Sequence, residues 1–329
     1  MQRILSIFNS RGMRAFIIKG LGFGLLVLLT AAILDMMISF GLNKTDCYRY
    51  QTFSDIFQGN MRQDILYMGN SRGFSHFNPR IIDSICGVSS YSLGLGGYPI
   101  NAQIAAYHCY KAHNGTPKMI VQQVDFVTLS MMHDIRHQHD SERFFPTVYD
   151  PTMRKELKKL GYGFMELYCP TYRYFGYQKV IKDGLLEFLK VKHYVERPAY
   201  KGFSPERGKW DGTNVAAMDS IMGILDDEAI ALFEDYLAEC KNDGVYVLLV
   251  NSPVYAPTTK KVKNMDQVNR YFENVAQKLG YKYLNYTENY DLCNDTLNFC
   301  VSVHMNPKAT DRFSSDFAKD LLSLGLLQH

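Results

Sequence analysis

One run near the start of the chain limits every later choice. Residues 15–34 read AFIIKGLGFGLLVLLTAAIL, apolar throughout except for Lys19. As a helix rising 1.5 Å per residue, such a run spans about 30 Å, the thickness of the hydrocarbon core of a bilayer. It has no polar face to offer to water, so a membrane is its natural solvent. Lys19 stands near the beginning, where its long stem can reach the headgroups. Before the run come Arg3, Arg11 and Arg14 with no acidic residue, so the positive-inside rule keeps the N-terminus in the cytoplasm and sends everything after Asp35 outward. A carboxylate at mid-bilayer costs about 2.5–3.5 kcal/mol, but Asp35 falls at the outer end, where that cost drops. A cleaved signal peptide has the same flanks, yet no small-x-small cleavage site follows; the buried core helix of a soluble domain is the third reading. We expect residues 1–42 to be a cytoplasmic stub and uncleaved signal anchor. The chain is then a single-pass protein of the cell (inner) membrane, with its main domain extracytoplasmic or periplasmic and the bilayer as its first partner.

The rest of the 329 residues has ordinary globular composition, 47% hydrophobic and 21% charged, enough for one large domain or a domain with an insertion. The formal charge of +3 is not gathered into a stripe, so no nucleic-acid partner is expected. After a linker of mixed polarity, residues 43–63, strands and helices alternate. Strands are expected over 64–68, 89–93 and 118–125, and helices over 78–87, entered at Asn78-Pro79, and over 101–112. The alternation resumes with a helix over 227–241, a strand over 245–250, a helix over 265–279, a strand over 281–286 and a last helix over 308–324. That rhythm predicts a parallel α/β sheet with helices on its faces. Residues 130–225 break it, with Pro, Tyr and Arg-rich stretches and two expected helices, 153–160 and 178–190. They read as an inserted, mostly helical lid whose many aromatic rings either pack it on the sheet or stack on sugars. The seven cysteines include Cys293 and Cys300, close enough to close a short loop, although isolated buried thiols are the commoner fate.

Two short signals carry chemistry. The run Asp64-Ile-Leu-Tyr-Met-Gly-Asn-Ser71-Arg-Gly73 ends an apolar strand in Gly-x-Ser, which holds a hydroxyl on a sharp turn with its N–H free to face an oxyanion. Far downstream, His304-Met305-Asn306 sits between the last strand and the last helix, where loops gather at the carboxyl edge of a parallel sheet. A serine hydroxyl is nearly inert at neutral pH without a base, and imidazole is the natural one. Each signal alone is common; together they predict a nucleophile and its base. Asn306 and Pro307 also suit the first turn of the last helix.

In this order, the blocks resemble the SGNH/GDSL hydrolase superfamily. They are most similar to its membrane-anchored branch, which includes D-alanyl-transfer proteins of teichoic-acid modification and acyl-transfer proteins of exported polysaccharides. Gly69-Asn70-Ser71, followed by Phe77-Asn78-Pro79, resembles the first block, Tyr91 to Gly97 the second, and His304-Met305-Asn306 the fifth. The resemblance covers residues 64–329 outside the insertion. It implies a three-layer α/β/α flavodoxin-like fold, catalysis by Ser71 and His304, and an oxyanion hole from the N–H groups of Ser71 and Gly97. No cofactor or metal is expected. The implied activity is that of a serine esterase or O-acyltransferase working through an acyl-enzyme on a surface glycan or other acylated polymer.

Two positions depart from the family pattern. Val301 stands where Asp usually precedes the His by three residues, leaving Asp295 or a backbone carbonyl to orient the imidazole. The third block reads Gln122-Gln123-Val124-Asp125 with no oxyanion Asn, and Asp125 would repel an oxyanion if it pointed inward. These departures motivate the alternative of a catalytically inactive binding or scaffold protein partnering a membrane-bound O-acyltransferase. Arg72, beside the nucleophile, suits either a substrate anion or a structural ion pair. His133, Asp134, His137, His139 and Asp140 have metal-ligand chemistry, but a polar lid segment explains them equally well.

Overall fold

The computed structural model describes residues 11–213, 215, 218–288 and 290–327; the expected contribution of Arg3 lies outside them. The chain divides into two compact units, one formed by residues up to 45 with 163–194, the other by 46–162 with 195–329.

The larger unit is α/β. Its sheet holds five parallel strands, β1 (Ile65–Met68), β2 (Ser90–Ser92), β3 (Met119–Gln123), β4 (Tyr246–Asn251) and β5 (Lys282–Asn285), in the spatial order β2-β1-β3-β4-β5. The central strands are buried on both faces, which is why Ile65–Met68 and Val247–Val250 read as unbroken apolar runs rather than alternating ones. Ile65, Tyr67, Val121, Leu248 and Val250 turn to one face and pack with Phe77, Phe313 and Phe317. The residues between them point the other way. On that second side the helices Ile100–Asn114, Asp227–Asn242 and Met265–Leu279 interlock through ring pairs Tyr107–Tyr236 at 5.6 Å and Phe233–Phe272 at 6.0 Å. The first face is covered by the helices Pro79–Cys86 and Pro307–Ser323, which pack on each other.

The helix starts are where local chemistry puts them. Asn78, Asp226 and Asn306 each accept a backbone N–H with the side-chain oxygen, from Arg80, Ala229 and Ala309 respectively. Each such cap stabilises its helix by about 1 kcal/mol.

Two expectations are corrected. Residues 43–63 are not a linker: Tyr48–Gln58 is a helix with Tyr50, Phe53 and Ile56 buried, and Asp46–Cys47 pairs in parallel with Val195–Glu196. Its apolar positions recur every three residues, so one stripe is covered while the average polarity stays high. Nor is 130–225 a single lid. Its flanks fold with the sheet, burying Phe144, Phe145 and Tyr162, whereas its middle, 163–194, folds with the N-terminal helix.

In that smaller unit the helix Arg11–Leu42 is long and apolar enough to cross a membrane, with a mean hydropathy of 2.3 in its most apolar window. The unit also contains the short helix Phe164–Tyr168 and the helix Gln178–Phe188, which packs along the apolar helix. Gly41 meets Gly184 where two helices cross: a Cβ on Gly41 would lie 1.8 Å from the Gly184 carbonyl oxygen, so only glycine permits the approach. Asp35, fully buried, is ion-paired to Arg173 and accepts the Thr171 N–H at 2.5 Å.

Candidate active site

Ser71 opens a one-turn helix, Ser71–Ser75, immediately after β1. The turn between them requires Gly69, whose φ is 140° and where a Cβ would come within 2.7 Å of the Gln123 Cβ. Asn70 caps the turn, its oxygen accepting the Arg72 N–H at 3.1 Å, and donates its amide to Asp125 at 2.7 Å. The Ser71 hydroxyl is thereby fixed at the carboxyl edge of the sheet.

His304 reaches it from a hairpin rather than from a plain loop. Strand β6 (Phe299–Val301) pairs antiparallel with the two-residue β7 (His304–Met305). Ser71 Oγ and His304 Nε2 stand 2.7 Å apart, a full hydrogen bond between groups 233 positions distant in sequence. Met305, next in the chain, is buried in the core, so the apolar anchor of the hairpin also sets the height of the imidazole.

Behind this pair lies a buried polar network. Arg72 turns inward, 2% exposed, to an ion pair with Asp125 at 2.7 Å and a hydrogen bond to the Ser252 carbonyl at 2.9 Å. Its guanidinium is therefore engaged within the fold by Asp125 and Ser252. Burial pushes the Asp125 carboxyl up, but Arg72, Asn70 and the Val127 N–H outweigh that and hold it below the usual carboxylate range. Asp125 thus stays charged and turned toward Arg72. His76, fully buried, accepts the Met305 N–H at Nε2 over 3.2 Å, which leaves Nδ1–H to donate to the Ser252 hydroxyl at 2.9 Å. Burial, with Arg72 and His304 adding repulsion, drives the His76 pKa well below 6.5, so it ties the hairpin down as a neutral ring.

The remaining expected residues fall elsewhere. Asp295 is exposed and caps the short Thr296–Asn298 turn by accepting the Leu297 N–H at 2.9 Å. Asn306 caps the last helix and donates to the Leu297 carbonyl. Neither hydrogen bonds to His304. Val301 is exposed, and among the described residues no carboxylate hydrogen bonds to the imidazole. Cys293 and Cys300 are free thiols, bonded instead to the carbonyls of Tyr286 and Gly208. Residues 133–140 are not helical, so His133 and His137 do not share a helical face; His133 pairs with Glu228 and His139 with Asp140.

Gly97 lies beside Ser71 on a recess of about 240 Å³ that Tyr98, Thr128 and Met132 also line. The backbone N–H groups of Ser71 and Gly97 make no hydrogen bond among the described residues. Sequence reasoning missed the strap over the other flank. Ser204 donates its N–H to the Phe74 carbonyl at 3.1 Å, and Arg197, held to Glu206 at 2.9 Å, lies over the Phe74 ring. Burial lowers the His304 pKa below 6.5; Glu206 opposes the shift, while Arg72 and Arg197 reinforce it. Glu206 carried no local signal, because it lies within a segment that breaks the alternating pattern.

No family model matches the chain, and a comparison with curated proteins finds no match.

Proposed function

We propose that the protein is an SGNH-type serine acyl-transfer enzyme, anchored in the cell membrane with its catalytic unit outside the cytoplasm, acting on acyl groups of a surface glycan. The observation that carries this is the 2.7 Å bond between Ser71 Oγ and His304 Nε2. The strand order β2-β1-β3-β4-β5, that of flavodoxin-like folds, supports the family reading, as does the position of both side chains at the carboxyl edge.

The proposed reaction has two halves. Ser71 Oγ attacks the carbonyl carbon of a bound ester while His304 Nε2 takes the hydroxyl proton. The carbonyl oxygen becomes an oxyanion facing the N–H groups of Ser71 and Gly97, each worth roughly 3 kcal/mol in comparable sites. Collapse breaks the bond to the leaving alcohol, which takes the proton from His304 and leaves the acyl group on Ser71. Water or a glycan hydroxyl then attacks, again with His304 as base, giving hydrolysis or transfer. The recess of about 240 Å³ beside Gly97 suits a small acyl group rather than a long lipid chain. A fluorophosphonate probe is expected to label the wild type and to leave Ser71→Ala and His304→Ala unlabelled; a wild type that never labels removes the proposal.

One observation favours a second reading, a silent module that holds a polymer or a membrane-bound O-acyltransferase. Among the described residues His304 has no hydrogen-bonded carboxylate, and in serine proteases losing that partner's charge costs about 10⁴ in turnover. If Ser71→Ala supports normal surface acylation in cells where deletion of the protein does not, this reading replaces the first.

A further inference from the structure

The smaller unit exposes more large apolar side chains than its crossing helix alone explains. Within 163–194, Phe175 is 87% exposed and Phe164 and Val191 are each 70% exposed, with Tyr168, Tyr172 and Leu189 also at the surface. In water, such a set on one short segment is unfavourable; next to a membrane it is ordinary. The segment is tied to the apolar helix at a definite height. Thr171, together with Leu26, Val27, Thr30, Ala31 and Leu34, lines a recess of about 370 Å³ on that helix. Leu26 lies two helical turns, roughly 12 Å, nearer the bilayer centre than Leu34.

The same contacts remove what would forbid entry into the membrane. Asp35 is not left as a bare carboxylate: it is paired with Arg173, accepts the Thr171 N–H, and accepts the Ser39 hydroxyl at 3.4 Å, whose oxygen stands 2.8 Å from the Tyr174 hydroxyl. Thr171 adopts φ 64°, a conformation unfavourable for a β-branched residue, while its N–H points at Asp35. The exposed rings are Tyr, a type enriched at the membrane–water boundary, and Phe, which interfacial segments bury just below the headgroups, and the exposed Lys182, Lys190 and Lys192 suit anionic headgroups.

We propose that residues 163–194 are a second membrane-contacting element. In it, Phe164, Tyr168, Tyr172 and Phe175 are inserted into the outer interfacial layer of the bilayer beside the crossing helix. The ligand of this surface is lipid, not a protein partner. The inference rests on the reading that the helix Arg11–Leu42 crosses the membrane, and its test separates the two.

Trp210 is the single tryptophan of the chain, so a Trp210→Phe background leaves one introduced indole as the reporter. The full-length protein carrying Phe175→Trp, and separately Phe23→Trp in the middle of the apolar run, is placed in phosphatidylcholine–phosphatidylglycerol vesicles with brominated acyl chains. Bromines near the headgroup end are expected to remove about half or more of the fluorescence of the Phe175→Trp protein, and deep bromines that of the Phe23→Trp protein. If Phe23→Trp is quenched while Phe175→Trp responds only to aqueous iodide, the anchor stands and this inference falls. Shielding of the Phe175→Trp indole from both quenchers, as contact with a second copy of the chain would give, overturns it as well. If neither position is quenched by bromines, the anchor reading fails and the inference fails with it.

Discussion

At the scale of single residues, the proposed activity depends on keeping one imidazole neutral and aimed. His304 is half-buried, and the water it loses there lowers its pKa, with Arg72 and Arg197 adding to the effect and Glu206 and Asp125 opposing it. A base must be unprotonated to work. A pKa below the ordinary value of about 6.5 therefore gives a Ser71-directed labelling rate that is flat around neutrality and falls only as the pH drops through the lowered value. Glu206→Gln removes a charge that favours the imidazolium, so the acid limb of the pH–rate profile is expected to move to lower pH; Arg197→Gln is expected to move it up. Profiles that superimpose on the wild type for both variants would show that the strap does not govern the base. Arg72 illustrates the same logic in reverse: chemistry made it a plausible ligand for an anion, and burial against Asp125 made it part of the scaffold.

At the scale of elements, long periodic segments were readable and short or compensated ones were not. The helices over 79–86, 227–242, 265–279 and 307–323 lie within a residue or two of their expected limits, because caps and apolar spacing act locally. Tyr48–Gln58 was hidden by its polar average, although Phe53 is 1% exposed and packs on Phe144 at 5.2 Å between centroids. Phe53→Ala is accordingly expected to destabilise the larger unit by about 3–5 kcal/mol in urea unfolding. A loss below about 1 kcal/mol would restore the linker reading for this stretch. The hairpin β6–β7 escaped notice for a different reason: two-residue strands have no period to detect, and His304 was assigned to a loop.

At the scale of the whole molecule, the chain is two compact units threaded through one another in sequence, since residues 163–194 leave the larger unit to fold with the N-terminal helix. Removing residues 1–45 takes away the partners of Arg173 and Gly184. Hydrogen exchange of such a truncated chain is expected to lose protection over 163–194 while β1, β3 and β4 stay as slow as in the full chain. Retained protection over 163–194 would mean that the segment folds without the helix. The sequence by itself determined the long apolar helix near the N-terminus, the parallel strand–helix alternation and the choice of Ser71 and His304 as side chains to look for together, because composition, period and residue chemistry are local properties. Only the tertiary structure decided that Asp125 answers Arg72, that Glu206 rather than Asp295 is the carboxylate whose charge acts most on His304, and that residues 163–194 fold with the N-terminal helix. Those choices depend on which surfaces are buried together, and burial is fixed by contacts between residues that no local pattern relates.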